Sequence, residues 1–314
     1  MSDIRLMRIN IKPSCSEQER KNLINNCLIE KPDEQYVAIG WSYVYTDDGA
    51  LPETKTFDSY EEFYNEAVKC IRERKRRINH ALNSFWYVRE GDLFWTRDLN
   101  GFYWICRAKG KAEPRYINKW DVGAVVPVNA YRVGLEVPGQ IKASFNRPHG
   151  GVVDDCFDEM MINYSKYIYN QFEKEDRRKY YNISKQEGSI IRNLPAEELE
   201  ELVISYLQVK MDYYLLSNSI ASGSTTVSIE CEFLSRDKEH FRKAVVQVKA
   251  IPKINPNDYK DFVEKGYEVY FYDGGRVENI PGYKYLSEGD LLDFFEEYKS
   301  ILPESITKWE MLFR

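Results

Sequence analysis

The segment Lys243-Ala244-Val245-Val246-Gln247-Val248-Lys249-Ala250 constrains this chain more than any other stretch. Val245, Val246 and Val248 are β-branched, as a core strand wants. Gln247 and Lys249 interrupt them at a spacing of two, so both side chains leave the same face. Lysine is almost never fully buried without a partner. A Gln and a Lys side by side on so apolar a strand point to a polar pocket rather than a packing surface. Upstream, Thr226-Val227-Ser228-Ile229-Glu230-Cys231-Glu232-Phe233-Leu234 repeats the pattern with two carboxylates.

Such a set suits metal-dependent phosphodiester cleavage. That chemistry needs hard oxygen ligands for Mg²⁺ or Mn²⁺ and a group that places or deprotonates a water. A fixed cation beside the phosphate offsets developing negative charge. Glu230 and Glu232 supply carboxylates, Gln247 an amide oxygen, Val248 a backbone carbonyl and Lys249 the cation. A carboxylate from the preceding helix often completes such a site, and Glu200 is the candidate, with Glu201 and Glu197 behind it. A second reading stays open. Gln247 and Lys249 would then lie on an edge strand blocked by lysine, with Glu230 and Glu232 paired to Lys249 across its solvated side.

The ordered set of helix glutamate, strand glutamate and Gln-x-Lys resembles the PD-(D/E)XK nuclease superfamily, and within it the Mrr-like restriction endonucleases. Val246-Gln247-Val248-Lys249 matches their Gln-x-Lys form. Leu199-Glu200-Glu201-Leu202-Val203 is similar to their opening helix, with Leu199 where an aromatic residue is usual. The second motif departs: those enzymes usually carry an Asp in a Gly-rich context, whereas here Glu230 and Glu232 follow Ser222-Gly223-Ser224. The resemblance spans about 190–314. It implies a three-layer α/β/α domain with a mixed sheet, with Mg²⁺ or Mn²⁺ held by Glu230, Glu232 and Gln247. It also implies catalysis by these three with Lys249 and Glu200.

At 314 residues, the expectation is two domains. No apolar run approaches the roughly 18 residues of a membrane span, and the N-terminus lacks the basic-then-apolar layout of a signal peptide. Six scattered cysteines form no C-x-x-C pair, and the three histidines have no zinc-type spacing. The expectation is a cytoplasmic protein with reduced thiols. The net charge of −6 is unevenly spread: residues 1–158 carry 23 basic and 23 acidic side chains, the remainder 21 and 27. The first half is the better electrostatic partner for a phosphate backbone, and the acidic half suits a cation site.

The first half reads as a small curved β domain with two helices. Strands are expected at Leu6–Ile11, Tyr36–Val44, Ser84–Val88, Asp92–Arg97, Tyr103–Ala108 and Ala124–Val128. Helices are expected at Glu17–Cys27 and from Asp58 to about Leu82. Asp155–Glu175 reads as a helix in a linker over 156–190, between a domain at 1–155 and one at 191–314. The second domain reads α-β-β-β-α-β-α, the order of a layered mixed sheet.

Five of the six tryptophans lie in the first half. Aromatic faces stack bases and can line a pocket for a flipped base. Arg89-Glu90-Gly91-Asp92-Leu93-Phe94-Trp95-Thr96-Arg97 looks like the Gly-Asp-strand element of PUA-like and EVE-like domains, and Ile39-Gly40-Trp41 suits the same fold. That group includes readers of modified bases in DNA and RNA. Trp41, Trp95 and Trp104 are the candidates for base contact. Val137–Phe145 reads as a loop that either closes the domain or touches ligand. Arg72-Glu73-Arg74-Lys75-Arg76-Arg77 is the densest basic run; on a helix Arg74, Arg76 and Arg77 either follow a phosphate backbone or form a solvated face. The combined expectation is a two-domain Mg²⁺-dependent endonuclease acting on DNA, plain or modified, without a membrane partner. Pairing into a homodimer would let it cut both strands. The alternatives are an inactive nucleic-acid sensor and an RNA-directed nuclease.

Overall fold

The computed structural model describes residues 4–11, 16–41, 57–70, 75–147, 151–154, 157–172, 180–217 and 229–313; for 69–70, 75–79 and 118 it describes the backbone alone. The chain divides into two compact units, Met1–Val137 with Ile141–Ser184, and Pro138–Gln140 with Lys185–Arg314.

The first unit begins with β1 (Leu6–Ile9), α1 (Glu17–Leu28) and β2 (Tyr36–Ile39). A capping box between Ser16 and Glu19 starts α1. Then follow α2 (Tyr60–Cys70), α3 (Lys75–Trp86), β3 (Leu93–Arg97), β4 (Tyr103–Ala108), β5 (Glu113–Ile117) and β6 (Val122–Gly134). The unit closes with α4 (Gly139–Asn146, from Ile141 onward), β7 (Val153–Asp154) and α5 (Glu159–Phe172). Seven strands form one sheet in the order β2-β6-β4-β3-β1-β7, with β5 also on β6. Only β1 and β3 run parallel among these pairs. The long β6 pairs with β2 and β5 along its first half and with β4 along its second, and the sheet curls into a half-barrel.

Both faces of this sheet are covered. One carries the main core, with Met7, Ile9, Phe94 and Cys106 packed among residues of α1, α2 and α3. The opposite face carries Arg8, Trp95, Arg97 and Tyr103, and residues of α4 and α5 lie against it. Several elements depart from the sequence expectations. The helix at Asp155–Glu175 is α5, and it belongs to the first unit rather than to a linker. Ser84–Val88, expected as a strand, is the end of α3 and the turn after it. Val137–Phe145, expected as a loop, contains α4. The strand β5 was not foreseen.

The second unit contains α6 (Ile190–Asn193), α7 (Ala196–Val209), β8 (Tyr213–Leu215), β9 (Cys231–Ser235) and β10 (Lys243–Lys249). After them come α8 (Lys260–Glu264), β11 (Tyr267–Asp273), β12 (Tyr283–Tyr285), α9 (Glu288–Tyr298) and α10 (Glu304–Thr307). The sheet order is β12-β11-β10-β9-β8. β10 is parallel to β11 and β11 to β12, whereas β9 is antiparallel to β10 and β8 to β9. β10 is therefore the central strand, which removes the edge-strand reading. On one face Val245, Val269 and Phe271 pack with Tyr259, Phe262 and Val263 of the α8 region. The other face meets α7, where the sequence places Leu199, Leu202, Val203, Tyr206 and Leu207 on one stripe; all but the partly exposed Tyr206 are buried.

Candidate functional site

Three facts of register bring polar groups to one end of the second sheet. β9 runs against β10, so the start of β9 lies beside the end of β10. Glu230, which precedes β9, donates its N–H to the Val246 carbonyl at 2.9 Å. β11 runs with β10 and pairs Lys249 with Asp273.

At this end Gln247 is buried, with 1% of its surface exposed. Its Nε2 donates to Glu230 Oε1 at 2.5 Å and to the Val248 carbonyl at 3.2 Å, while its Oε1 accepts from the Tyr259 hydroxyl at 3.2 Å. A buried amide without these partners would cost about 1–3 kcal/mol. Lys249 Nζ lies 3.9 Å from Glu230 Oε1 and is 41% exposed, so the cation looks outward while its neighbour Gln247 is sealed.

Glu200, on α7, belongs to the same group electrostatically. Burial pushes its pKa up to about 7, the negative charge of Glu230 adds to this, and Lys249 opposes it. Two carboxylates thus share one lysine in a half-buried setting. Glu197 adds a further, smaller repulsion, and Glu201 on the same helix is exposed.

Glu232 does not join them. It shares the face of Glu230, but its Oε1 accepts from the Tyr267 hydroxyl at 2.9 Å. Tyr267 starts β11, whereas Asp273 ends it beside Lys249. A strand advances about 3.3 Å per residue, so Glu232 is turned toward the far end of the face. The expected pair of neighbouring ligands therefore reduces to Glu230.

Asp273 escaped the sequence reading, although its place across from Lys249 follows once β10 and β11 are paired. It is fully buried. Its Oδ1 accepts from the N–H groups of Lys253 and Ile254 at 2.7 and 3.1 Å, and Oδ2 meets Arg276 at 2.7 Å. The Gly274 N–H donates to the Lys249 carbonyl at 2.7 Å. These bonds fix the loop that follows Lys249. Tyr259, the partner of Gln247, was also missed.

A hard cation such as Mg²⁺ takes one or two carboxylates and keeps several waters. Among the described residues no group of three or more His, Cys, Asp or Glu side chains is arranged to hold a metal. Glu230 and Glu200 form a smaller donor set, and their mutual repulsion is of the kind a divalent cation relieves. They fit Mg²⁺ or Mn²⁺ bound mainly through water. Gln247 fits as the residue that orients Glu230, because its amide oxygen is already held by Tyr259.

In the first unit the expected aromatic pocket is largely filled. Trp95 is fully buried and its indole N–H donates to Ser165 Oγ on α5 at 2.9 Å. Trp104 is 8% exposed and donates to Asp98 Oδ2 at 3.0 Å. Neither ring has a face open to a base, because α5 covers one and the main core encloses the other. Trp41 is half-buried against the core with a left-handed φ of 67°, and it is the most exposed of the three. Arg74 lies outside the described residues; Arg76 and Arg77 lie on α3, where only the backbone is described.

No helix among the described residues is long and apolar enough to cross a membrane. Comparison of the chain with family models, with curated proteins and with solved structures finds no match.

Proposed function

We propose that the chain is a metal-dependent nuclease acting on DNA, and that the second unit performs the cleavage on a restriction-endonuclease-like three-layer scaffold. The observation that carries this reading is the meeting of Glu200, Glu230, Gln247 and Lys249 at one end of a mixed sheet. Mg²⁺ or Mn²⁺, when bound, would supply a Lewis acid and a bound water of lowered pKa. Glu230 and Glu200 would hold it. Gln247 keeps the Glu230 carboxylate in one orientation through its amide N–H. Lys249, partly exposed beside Glu230, is positioned to offset charge on a phosphate oxygen. Glu200, with a pKa near 7, is able to take or return a proton at neutral pH.

The first unit would bind the nucleic acid, on a PUA/EVE-like plan, with Trp41 as the aromatic candidate. Restriction of foreign or modified DNA is the activity that suits this pairing of a reader and a cutter. A second reading, a nucleic-acid sensor with an inactive nuclease-like unit, is favoured by one observation: every polar atom of Gln247 already has a partner within the protein.

The deciding experiment is cleavage of plasmid DNA, unmodified and base-modified, with Mg²⁺ or Mn²⁺. Wild-type protein is expected to nick or cut at least one substrate, and Lys249→Ala and Glu230→Gln to lose at least about 100-fold in rate. Wild-type protein that cuts none of these, or cutting that persists in both variants, would overturn the nuclease reading. The same assay on RNA tests the RNA-directed alternative.

A further inference from the structure

Two arginines of the first unit lie against one phenylalanine, and a third lies close to one of them. Arg8 lies on β1, and its guanidinium carbon sits 5.6 Å from the centroid of the Phe145 ring. Arg97, at the end of β3, sits 5.4 Å from the same ring and 5.8 Å from Tyr103. Arg147 follows α4 and lies near enough to Arg8 for their charges to repel. The sheet explains the meeting. Arg8 pairs with Trp95, and Arg97 is two residues further along the same face of β3, beside Tyr103. Phe145 packs edge-on against Tyr103 at 5.5 Å.

Among the described residues, the charges are not paired one to one. Asp154 serves two of the arginines, at 3.6 Å from Arg8 and 3.3 Å from Arg147. Arg97 instead donates to the neutral Asn146 Oδ1 at 3.0 Å. Arg8 is 1% exposed, and its Nη1 donates to the carbonyls of Gly151 and Val152 at 2.6 and 3.4 Å. Its Nη2 faces Asp154 Oδ2 at 3.6 Å, and its Nε is buried without a hydrogen-bond acceptor among the described residues. A buried guanidinium is costly unless paired and fully hydrogen-bonded. This one shares its carboxylate with Arg147, whose like charge acts against it. Arg147 is 61% exposed and Asn146 is exposed, so the upper part of the cluster is open to solvent.

An anion completes such an arrangement, and the planar fork of arginine matches the oxygens of phosphate. We propose that Arg97, Asn146 and Arg147, above the buried Arg8, bind a phosphate group. The group is either a phosphodiester of a nucleic-acid backbone or free inorganic phosphate. This site lies in a chain of net charge −6 and is separate from the metal-dependent reading of the second unit.

The test uses the full chain and two probes. Affinity for fluorescein-labelled random-sequence duplex DNA is measured across a salt series by anisotropy. Thermal stability is measured with inorganic phosphate against chloride at equal ionic strength. Arg97→Gln/Arg147→Gln is compared with the charge-retaining Arg97→Lys/Arg147→Lys and with Lys249→Ala. For a nucleic-acid backbone, the Gln variant lowers the magnitude of the log K against log salt slope by about 2, at about 0.9 per lost contact. The Lys variant keeps most of that slope. For free phosphate, the DNA slope is unchanged, and the phosphate-induced stabilisation of wild type disappears in the Gln variant. If the Gln variant matches wild type with both probes, or if wild type responds to neither, the proposal is wrong. Loss of DNA cleavage in Lys249→Ala with an intact salt slope concerns the second unit alone. A wild type that binds DNA through this site but never cuts it overturns the nuclease reading and leaves the anion site standing.

Discussion

Gln247 Nε2 and Glu230 Oε1 lie 2.5 Å apart, tying the last part of β10 to the residue just before β9. The bond makes Glu230 a carboxylate of fixed orientation, since its backbone is also held by Val246. Preorganisation of this kind lowers the reorganisation a reacting site must undergo. It also makes the pair sensitive to charge, because one partner is neutral and the other ionic.

Gln247→Glu would place a second carboxylate against Glu230 in a position only 1% exposed. The variant should lose about 3 kcal/mol of stability at pH 8, since a buried uncompensated charge costs this much. Mg²⁺ should raise its melting temperature more than that of wild type. Thermal melts with and without Mg²⁺ check this, and a variant indifferent to Mg²⁺ would argue against any cation at Glu230.

Glu200 makes stability depend on pH with a definite sign. Its pKa is about 7 in the folded chain, above the ordinary 4.5 of a glutamate. The folded state therefore holds a proton that the unfolded state has released, and stability falls as pH rises from about 4.5 through 7. Glu200→Gln removes that loss. It should stabilise the protein by about 1–2 kcal/mol at pH 8, after allowance for solvent screening, and by almost nothing at pH 4. Urea titrations at the two pH values measure the difference. Equal effects at both would sink the assignment.

Trp95→Phe removes the indole N–H that meets Ser165 Oγ. Ser165 keeps its own bond to the Met161 carbonyl at 2.8 Å, so no hydroxyl is orphaned. The expected cost is about 1 kcal/mol for the lost hydrogen bond, together with a small cavity. DNA affinity should not change. A clear loss of affinity without loss of stability would restore Trp95 as a base contact.

Gly274 adopts φ +58°, and a Cβ there would lie 2.4 Å from Pro252 Cδ. Gly274→Ala must move the loop that holds Lys249 and Asp273. A loss of about 2 kcal/mol or more is expected, combining a strained φ with a steric clash. Cleavage, if present, should fall with it. Denaturant melts of the variant settle the first point and plasmid assays the second.

The polar strand was legible because a period of two is a local property of the backbone. Val245, Gln247 and Lys249 share one face whatever the rest of the chain does. The same rule grouped Glu232 with Glu230, and there it reached its limit. Alternation assigns a face but not a direction along the strand, and the hydroxyl of Tyr267 decides where Glu232 points. Trp95 marks a similar limit. It lies on the face opposite the main core, which would be open in a one-sided sheet, and α5 closes it.

By itself, then, the chain of residues determined the central strand, the helix α7 with its buried stripe, and three side chains that meet in space: Glu230, Gln247 and Lys249. Only the tertiary structure decided that Asp273 stands beside Lys249, that Tyr259 holds Gln247, and that Arg8 and Arg97 meet at Phe145 with Arg147 close to Arg8. These groups are far apart in sequence, and their meeting depends on strand order and register. Local periodicity carries no information about either, because hydrogen-bonded pairing between strands is set by the packing of the whole sheet.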